Sequence, residues 1–241
     1  MRAETDMNSM RERSPDPWRR LLHDELQVLK GSEAADQMAP VEEGGSYSAA
    51  ENVRWTARSM NAMELALQKD ERIEVLNRCA HILPDERIAE LRELFLNSHD
   101  IFQVHLLWQS HFLENLERRW GKLPPDWMAR VIEEGWGEAG RIEGREIIAT
   151  KVPQDLPGWF NAKSDAERRY RYCHCGRVRQ VFLTDETIPE VYCNCGGGFY
   201  RSNWGRVIGR PVKVELRASL MGGGDRCTFA IMLPDDIWTK D

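Results

Sequence analysis

Pro211-Val212-Lys213-Val214-Glu215-Leu216-Arg217-Ala218, then Gly222-Gly223-Gly224-Asp225, then Cys227-Thr228-Phe229-Ala230-Ile231-Met232-Leu233, is the stretch that decides the fold class. Val212, Val214, Leu216 and Ala218 alternate with Lys213, Glu215 and Arg217, and a period of two gives one apolar and one polar face only in an extended strand. The glycine run is a turn, and Cys227 to Leu233 returns as the partner strand. An antiparallel hairpin is therefore expected near the C-terminus. Moving outward, Gly209 and Pro211 close a helix expected over Phe199 to Ile208, with Trp204, Val207 and Ile208 apolar. Arg177 to Leu183 and Glu146 to Thr150 read as further strands.

Upstream the period lengthens. Residues 53–143 read as helical throughout, with Asp85 after Pro84 capping a stripe of Ile88, Leu91, Leu94 and Phe95. Val104, Leu107, Trp108, Phe112 and Leu116 continue the pattern over Ile101 to Trp120. Gly121 and the Pro124-Pro125 pair stop it, and Asp126 caps a third helix carrying Met128, Val131 and Ile132. Trp18, Leu21, Leu22, Leu26 and Leu29 recur at helical spacing, while Gly31 to Asn52 is rich in Gly, Ala, Ser and Glu and reads as a linker. The expected fold is α+β in three parts. Residues 1–52 form a flexible tail and linker with one short helix, residues 53–144 a helical layer, and residues 145–241 an antiparallel-sheet domain with packed helices.

Composition bounds the function. The chain has 241 residues, 41% of them hydrophobic, and a net charge of −6. Nothing approaches the roughly 18 consecutive apolar residues of a membrane-spanning helix. Met1 to Asp6 carries no apolar run of an export signal, so a cytoplasmic protein is expected. From Asn161 to Arg217 there are eleven Lys and Arg against six Asp and Glu, so this segment is basic within an acidic chain. No aromatic platform of a nucleic-acid fold accompanies it, and nucleic-acid binding is not expected.

Five of the six cysteines lie between residues 173 and 227. Four fall in matched units, Tyr172-Cys173-His174-Cys175-Gly176 and Tyr192-Cys193-Asn194-Cys195-Gly196. Zinc takes four soft donors in a tetrahedron, and two paired-cysteine turns can supply them, so Cys173, Cys175, Cys193 and Cys195 are the expected zinc ligands. The glycine after each pair would let backbone amides face the sulfurs. Arg168, Arg169, Arg171, Arg177 and Arg179 would offset the thiolate charge. Glu215 and Cys227 are further candidate ligands on the hairpin, and His174 a weaker one. Free thiols, disulfides and an iron–sulfur cluster are the alternatives. Cys79-Ala80-His81 reads as a buried thiol beside an exposed ring.

The segment from Tyr192-Cys193-Asn194-Cys195-Gly196-Gly197-Gly198-Phe199-Tyr200 through Trp204, Ile208 to Glu215, Ser219-Leu220 and Gly224-Asp225-Arg226-Cys227-Thr228-Phe229-Ala230-Ile231 resembles the 4-vinyl-reductase-like domain, over about residues 170–234. The resemblance implies an α+β module with an antiparallel sheet, often homodimeric, that binds small hydrophobic molecules as a sensor. In some members cysteines and a glutamate hold zinc, which by position matches Cys193 or Cys195, Glu215 and Cys227. Ala218 stands where sensor members offer a further cysteine, a gap that Cys173 or Cys175 could fill. The L-2-amino-thiazoline-4-carboxylate hydrolases share a similar ending, so the resemblance also admits an enzyme.

Nucleophile-elbow, phosphate-loop and His-Glu-x-x-His motifs are absent from the sequence. Gly196-Gly197-Gly198 reads as packing rather than an anion cradle. His99, His105 and His111, six apart, do not share a helix face. Glu133-Glu134 and Asp235-Asp236 read as solvated charge. Two classes remain. One is a small-molecule-binding or sensing module with structural zinc and a pocket lined by Trp108, Trp136, Trp159, Phe199 and Trp204. The other is a metal-dependent hydrolase acting on a small cyclic substrate, with a coordination position open to water.

Overall fold

A computed structural model describes residues 14–238. The first thirteen residues of the expected tail lie outside that range. Among the described residues the protein is α+β, with ten α-helices and a four-stranded antiparallel sheet. No helix among them is long and apolar enough to cross a membrane. The chain divides into two compact units that interleave in sequence. The first takes residues up to 79, 153–195 and 220–223; the second takes 80–152, 196–219 and 224 onward. Boundaries drawn at 52 and 144 do not express this interleaving.

The first unit opens with α1 (Pro17–Lys30), where the Asp16 carboxylate accepts from the Trp18 amide and Pro17 starts the helix at the position that needs no N–H. Its buried face is Trp18, Leu22 and Leu26. The expected linker is instead largely helical: α2 (Ser32–Met38) buries Ala35 and Met38, and α3 (Ala49–Ala66) begins within it. Residues read as spacers are good helix formers with small apolar contacts, which composition alone cannot separate from a linker. A reciprocal Ser48/Glu51 capping box starts α3, with the Ser48 amide donating to Glu51 at 2.7 Å. Arg19 is buried between the rings of Tyr47 (3.5 Å) and Trp55 (4.7 Å) and donates to Asn52 at 2.7 Å. The unit continues through α4 (Lys69–Arg78), α8 (Leu156–Phe160) and α9 (Asp165–Tyr172). Arg177 to Leu183 is not a strand. Arg179–Leu183 is a 3₁₀ helix, with Val178 and Val181 buried three residues apart, the spacing of that helix. A second 3₁₀ turn covers Glu190–Cys193.

The second unit holds α5 (Asp85–Ser98), α6 (Ile101–Trp120), α7 (Pro125–Glu133), α10 (Asn194–Ile208) from Gly196 onward, and the sheet. Pro84 and Pro124 occupy the cap positions of α5 and α7, so Asp85 and Asp126 lie in the first turns, where their charge faces the positive helix end. The sheet order is β1-β2-β4-β3, with β1 at Arg141–Glu143, β2 at Glu146–Thr150, β3 at Lys213–Ala218 and β4 at Thr228–Met232. Residues 53–143 are therefore not all helical: Arg141–Glu143 pairs with β2, a segment too short to show a period.

Register explains the core. Ile147 lies opposite Ile231 and Ile231 opposite Val214; Ala149 lies opposite Phe229 and Phe229 opposite Leu216. These rows place one apolar sheet face in the same cluster as Leu91 and Phe95 of α5, Val104 and Trp108 of α6, and Trp204 and Val207 of α10. Trp108 and Trp204 meet at 4.6 Å between ring centroids. Truncating either to alanine costs about 3–5 kcal/mol by the usual cavity arithmetic. The α10 helix starts at Asn194, five residues before the expected Phe199, so Gly196-Gly197-Gly198 lies inside it. A Cβ on Gly196 would stand 2.7 Å from Phe229 Cζ and 2.9 Å from Lys151 Nζ.

Candidate functional site

The two Cys-x-Cys turns both belong to the first unit. Cys173 caps the end of α9 and is buried, and the Cys175 carbonyl accepts from the amides of Val178 and Arg179 at 3.0 and 2.9 Å. Cys193 ends a 3₁₀ turn, and Cys195 sits in the first turn of α10. Tyr192, directly before Cys193, is buried, with its hydroxyl 2.7 Å from Cys175 Sγ. The same hydroxyl accepts from Arg177 Nη1 at 3.0 Å, and in its contact with Cys175 either the phenol or the thiol can donate.

Arg177 anchors this cluster. It donates to both Asp16 carboxylate oxygens, at 2.6 and 2.9 Å, and lies 4.2 Å from the Trp18 ring. Burial alone would lower its pKa, but Tyr192, Asp16 and Cys175 outweigh that and raise it, so the guanidinium stays charged. Burial, then Cys175, pushes the Tyr192 phenol well up. Trp18 packs edge-on against Tyr192 and donates its indole N–H to the Cys79 carbonyl at 3.0 Å. Cys195 Sγ approaches that carbonyl at 3.6 Å, and burial, with Cys195 adding, pushes the Cys79 thiol far up. Cys79 thus joins the cluster that sequence spacing left it out of.

Among the described residues no group of three or more His, Cys, Asp or Glu side chains is placed to hold a metal ion. As placed, Cys173, Cys175, Cys193 and Cys195 are not gathered into such a group; Cys175 meets the Tyr192 hydroxyl and Cys195 the Cys79 carbonyl. Among the described residues no disulfide joins any of the six cysteines. Of the five arginines expected to offset thiolate charge, Arg177 meets a cysteine through Tyr192. Arg169 instead donates to Asp165 and the Leu220 and Gly223 carbonyls, Arg171 to Asp155 and Glu167, and Arg179 lies over Tyr170. Glu215 points from the outer strand to solvent beside Arg217 at 3.1 Å, and pairing sets it opposite Ala230, whereas Cys227 precedes Thr228, the partner of Ala218. The hairpin register therefore separates Glu215 from Cys227 along the ladder. His105 is buried and bonded to the Gly140 carbonyl at 3.0 Å, and His111 faces Glu90, so the histidines act independently, as their spacing implies.

The five aromatic residues expected to line a pocket are core residues instead. Trp108, Phe199 and Trp204 belong to the second unit's core, and Trp136 is buried with its indole donating to Glu134 at 2.8 Å. Trp159 is buried in the first unit beside Phe160 and Tyr172. Their faces are largely covered by neighbouring side chains.

A groove does exist in the second unit, between α5 and α10. Its volume is about 860 Å³. Asp85, Ile88, Ala89 and Arg92 line it from α5, at the i, i+3, i+4, i+7 spacing of one helix face. Arg201, Ser202, Gly205 and Arg206 line it from α10; Gly209 to Val212 and Ile82 complete it. Arg92 donates through Nη1 to the Arg206 and Val207 carbonyls at 3.0 and 3.3 Å, capping the end of α10. Gly209, at φ +74°, makes that approach feasible, since a Cβ there would lie 2.6 Å from Arg92 Nη1. Arg206 donates to the Leu83 carbonyl at 2.7 Å, to Asn203 at 3.2 Å and to Asp85. The sequence signal for this groove was the basic bias of Asn161 to Arg217, three of whose arginines line it.

No family model, curated protein or solved structure matches this chain.

Proposed function

We infer that the protein is a small-molecule-binding module whose ligand lies in the groove between α5 and α10. The observation that carries this reading is the groove itself, whose volume falls within the roughly 300–1,000 Å³ of small-ligand sites. Ile82, Ile88, Ala89, Pro211 and Val212 supply apolar wall, and two helices fix its width. The expected small hydrophobic ligand is kept, and its place moves from the tryptophans to this groove. A cytoplasmic setting, where thiols stay reduced, accords with six cysteines outside disulfides.

Structural zinc at Cys173, Cys175, Cys193 and Cys195 belongs to this reading only if the two turns close on each other beyond their present placement. Elemental analysis decides it. One zinc per chain, lost in Cys175→Ser and in Cys195→Ser, would support the metal; purified protein without zinc and with full folding cooperativity would dismiss it.

The binding reading is tested with N-phenyl-1-naphthylamine, a neutral fluorescent probe with a purely apolar body. Ala89 is exposed on the groove face of α5, so Ala89→Trp fills the groove without entering the core. Probe fluorescence that saturates at one site and is lost in Ala89→Trp is the expected result. Probe binding indifferent to Ala89→Trp would contradict it.

A further inference from the structure

The reading above rests on the size and apolar wall of the groove; its charge makes a separate statement. Four arginines, Arg92, Arg201, Arg206 and Arg210, line it against one carboxylate, Asp85, in a chain whose overall charge is −6. We propose that the groove takes an amphipathic anion, with a phosphate, sulfonate or carboxylate head held by these arginines and an apolar body on Ile82, Ile88 and Val212.

Two of the cations are fixed before any ligand arrives. Arg92 is held by two backbone carbonyls and Arg206 by the Leu83 carbonyl and Asn203. Guanidinium groups present five N–H donors in a rigid fork, and backbone anchoring through one nitrogen holds the fork in place for the rest. Arg92 also offsets the adverse field of the α10 C-terminus, which would otherwise repel an anion there, by bonding its last carbonyls. Arg210 completes the ring of charge from the loop after α10, paired across the surface with Asp236 at 2.9 Å, both side chains largely exposed. Such an exposed pair contributes little and is readily exchanged for a ligand anion. Asp85 is 95% exposed at its side chain, so it screens Arg206 weakly. A guanidinium cluster beside an apolar wall favours a head group and a hydrocarbon body together, and a neutral apolar molecule leaves the charge unused.

The test compares two probes with the same aromatic body, 1-anilinonaphthalene-8-sulfonate and N-phenyl-1-naphthylamine, on the full chain. The sulfonate is expected to bind at least about tenfold more tightly, and its affinity to fall with salt. The double variant Arg201→Gln, Arg210→Gln, which leaves the anchored Arg92 and Arg206 in place, should weaken the sulfonate about tenfold and leave the neutral probe unchanged. Competition by dodecyl phosphate, dodecanoate and dodecanol then distinguishes the head groups, with the two anions displacing the sulfonate and the alcohol failing to. Equal affinity for both probes, sensitive to Ala89→Trp but not to the arginine variant, would overturn the anion proposal while leaving the binding reading intact. Failure of both probes to bind at a site blocked by Ala89→Trp would overturn both. Arg210→Lys, which keeps the charge, should retain most of the sulfonate affinity and so separates charge from folding damage.

Discussion

Asp16 and Arg177 show how a residue pair distant in sequence can set a local site. Their side chains are 7% and 14% exposed, and the carboxylate takes both ends of the guanidinium fork. Removing one partner of such a pair leaves a buried charge uncompensated, which costs about 3–5 kcal/mol. Asp16→Ala should therefore lower denaturant stability by that amount, while Tyr192→Phe should cost less, about 1–2 kcal/mol, for a lost charge-assisted bond. If Asp16→Ala were neutral in urea unfolding, the pair would not be anchoring the cysteine turn. Beside His81, whose pKa burial also lowers, His105 is a source of pH dependence. Burial lowers its pKa from the ordinary 6.5, so its neutral form is the one the fold accepts. The folded value lies below the unfolded one; stability is thus full above pH 6.5 and falls as the pH drops from there towards the folded value. His105→Gln should lessen that decline, read as the midpoint of thermal unfolding between pH 7 and pH 5. The paired cysteines were legible from their explicit spacing, yet among the described residues they are not placed as a metal-holding group. That Arg177 brings Tyr192 and Asp16 to Cys175 was not legible, because Asp16 lies 161 residues from Arg177 and no local pattern joins them.

Elements with a clean period were the ones sequence reading recovered. The alternation over Lys213–Ala218 has one polar and one half-buried face, and the returning strand and the turn between them fall where expected. The α6 stripe over Ile101–Trp120 ends at Gly121 as its pattern requires. Arg177 to Leu183 failed for a physical reason: a short apolar run has the same composition in a strand and in a 3₁₀ turn. The glycine run failed for another. Three glycines lower helix propensity by about 1 kcal/mol each, yet α10 runs through them, and at Gly196 close packing against Phe229 leaves no room for a side chain. That conflict gives a prediction. Gly196→Ala should gain about 1 kcal/mol in helix propensity and lose about 1–3 kcal/mol in overpacking against the fully buried Phe229 ring, so the net is destabilising. Lys151 can swing aside and Phe229 cannot. Thermal unfolding that moved upward in this variant would show that the core yields more easily than its packing implies.

At the scale of the whole molecule, the α+β class followed from the change of period along the chain, and the interleaved units did not. The cause lies in segments 153–195 and 220–223, which return to the first unit after the sheet has begun, a connection that local periodicity cannot report. The proposed ligand site differs from the expected one for a related reason. Tryptophans attract a pocket reading because they are large and can line one, but here they fill the cores, while arginines on α5 and α10 meet across a groove from positions over 100 residues apart. The groove between α5 and α10 is the proposed binding site. Hydrogen exchange with and without saturating dodecyl phosphate tests it most directly, because protection is read segment by segment across the intact chain. Slower exchange confined to residues 82–92 and 201–212 is the predicted result; protection that instead appears over residues 170–195, or nowhere, would contradict it.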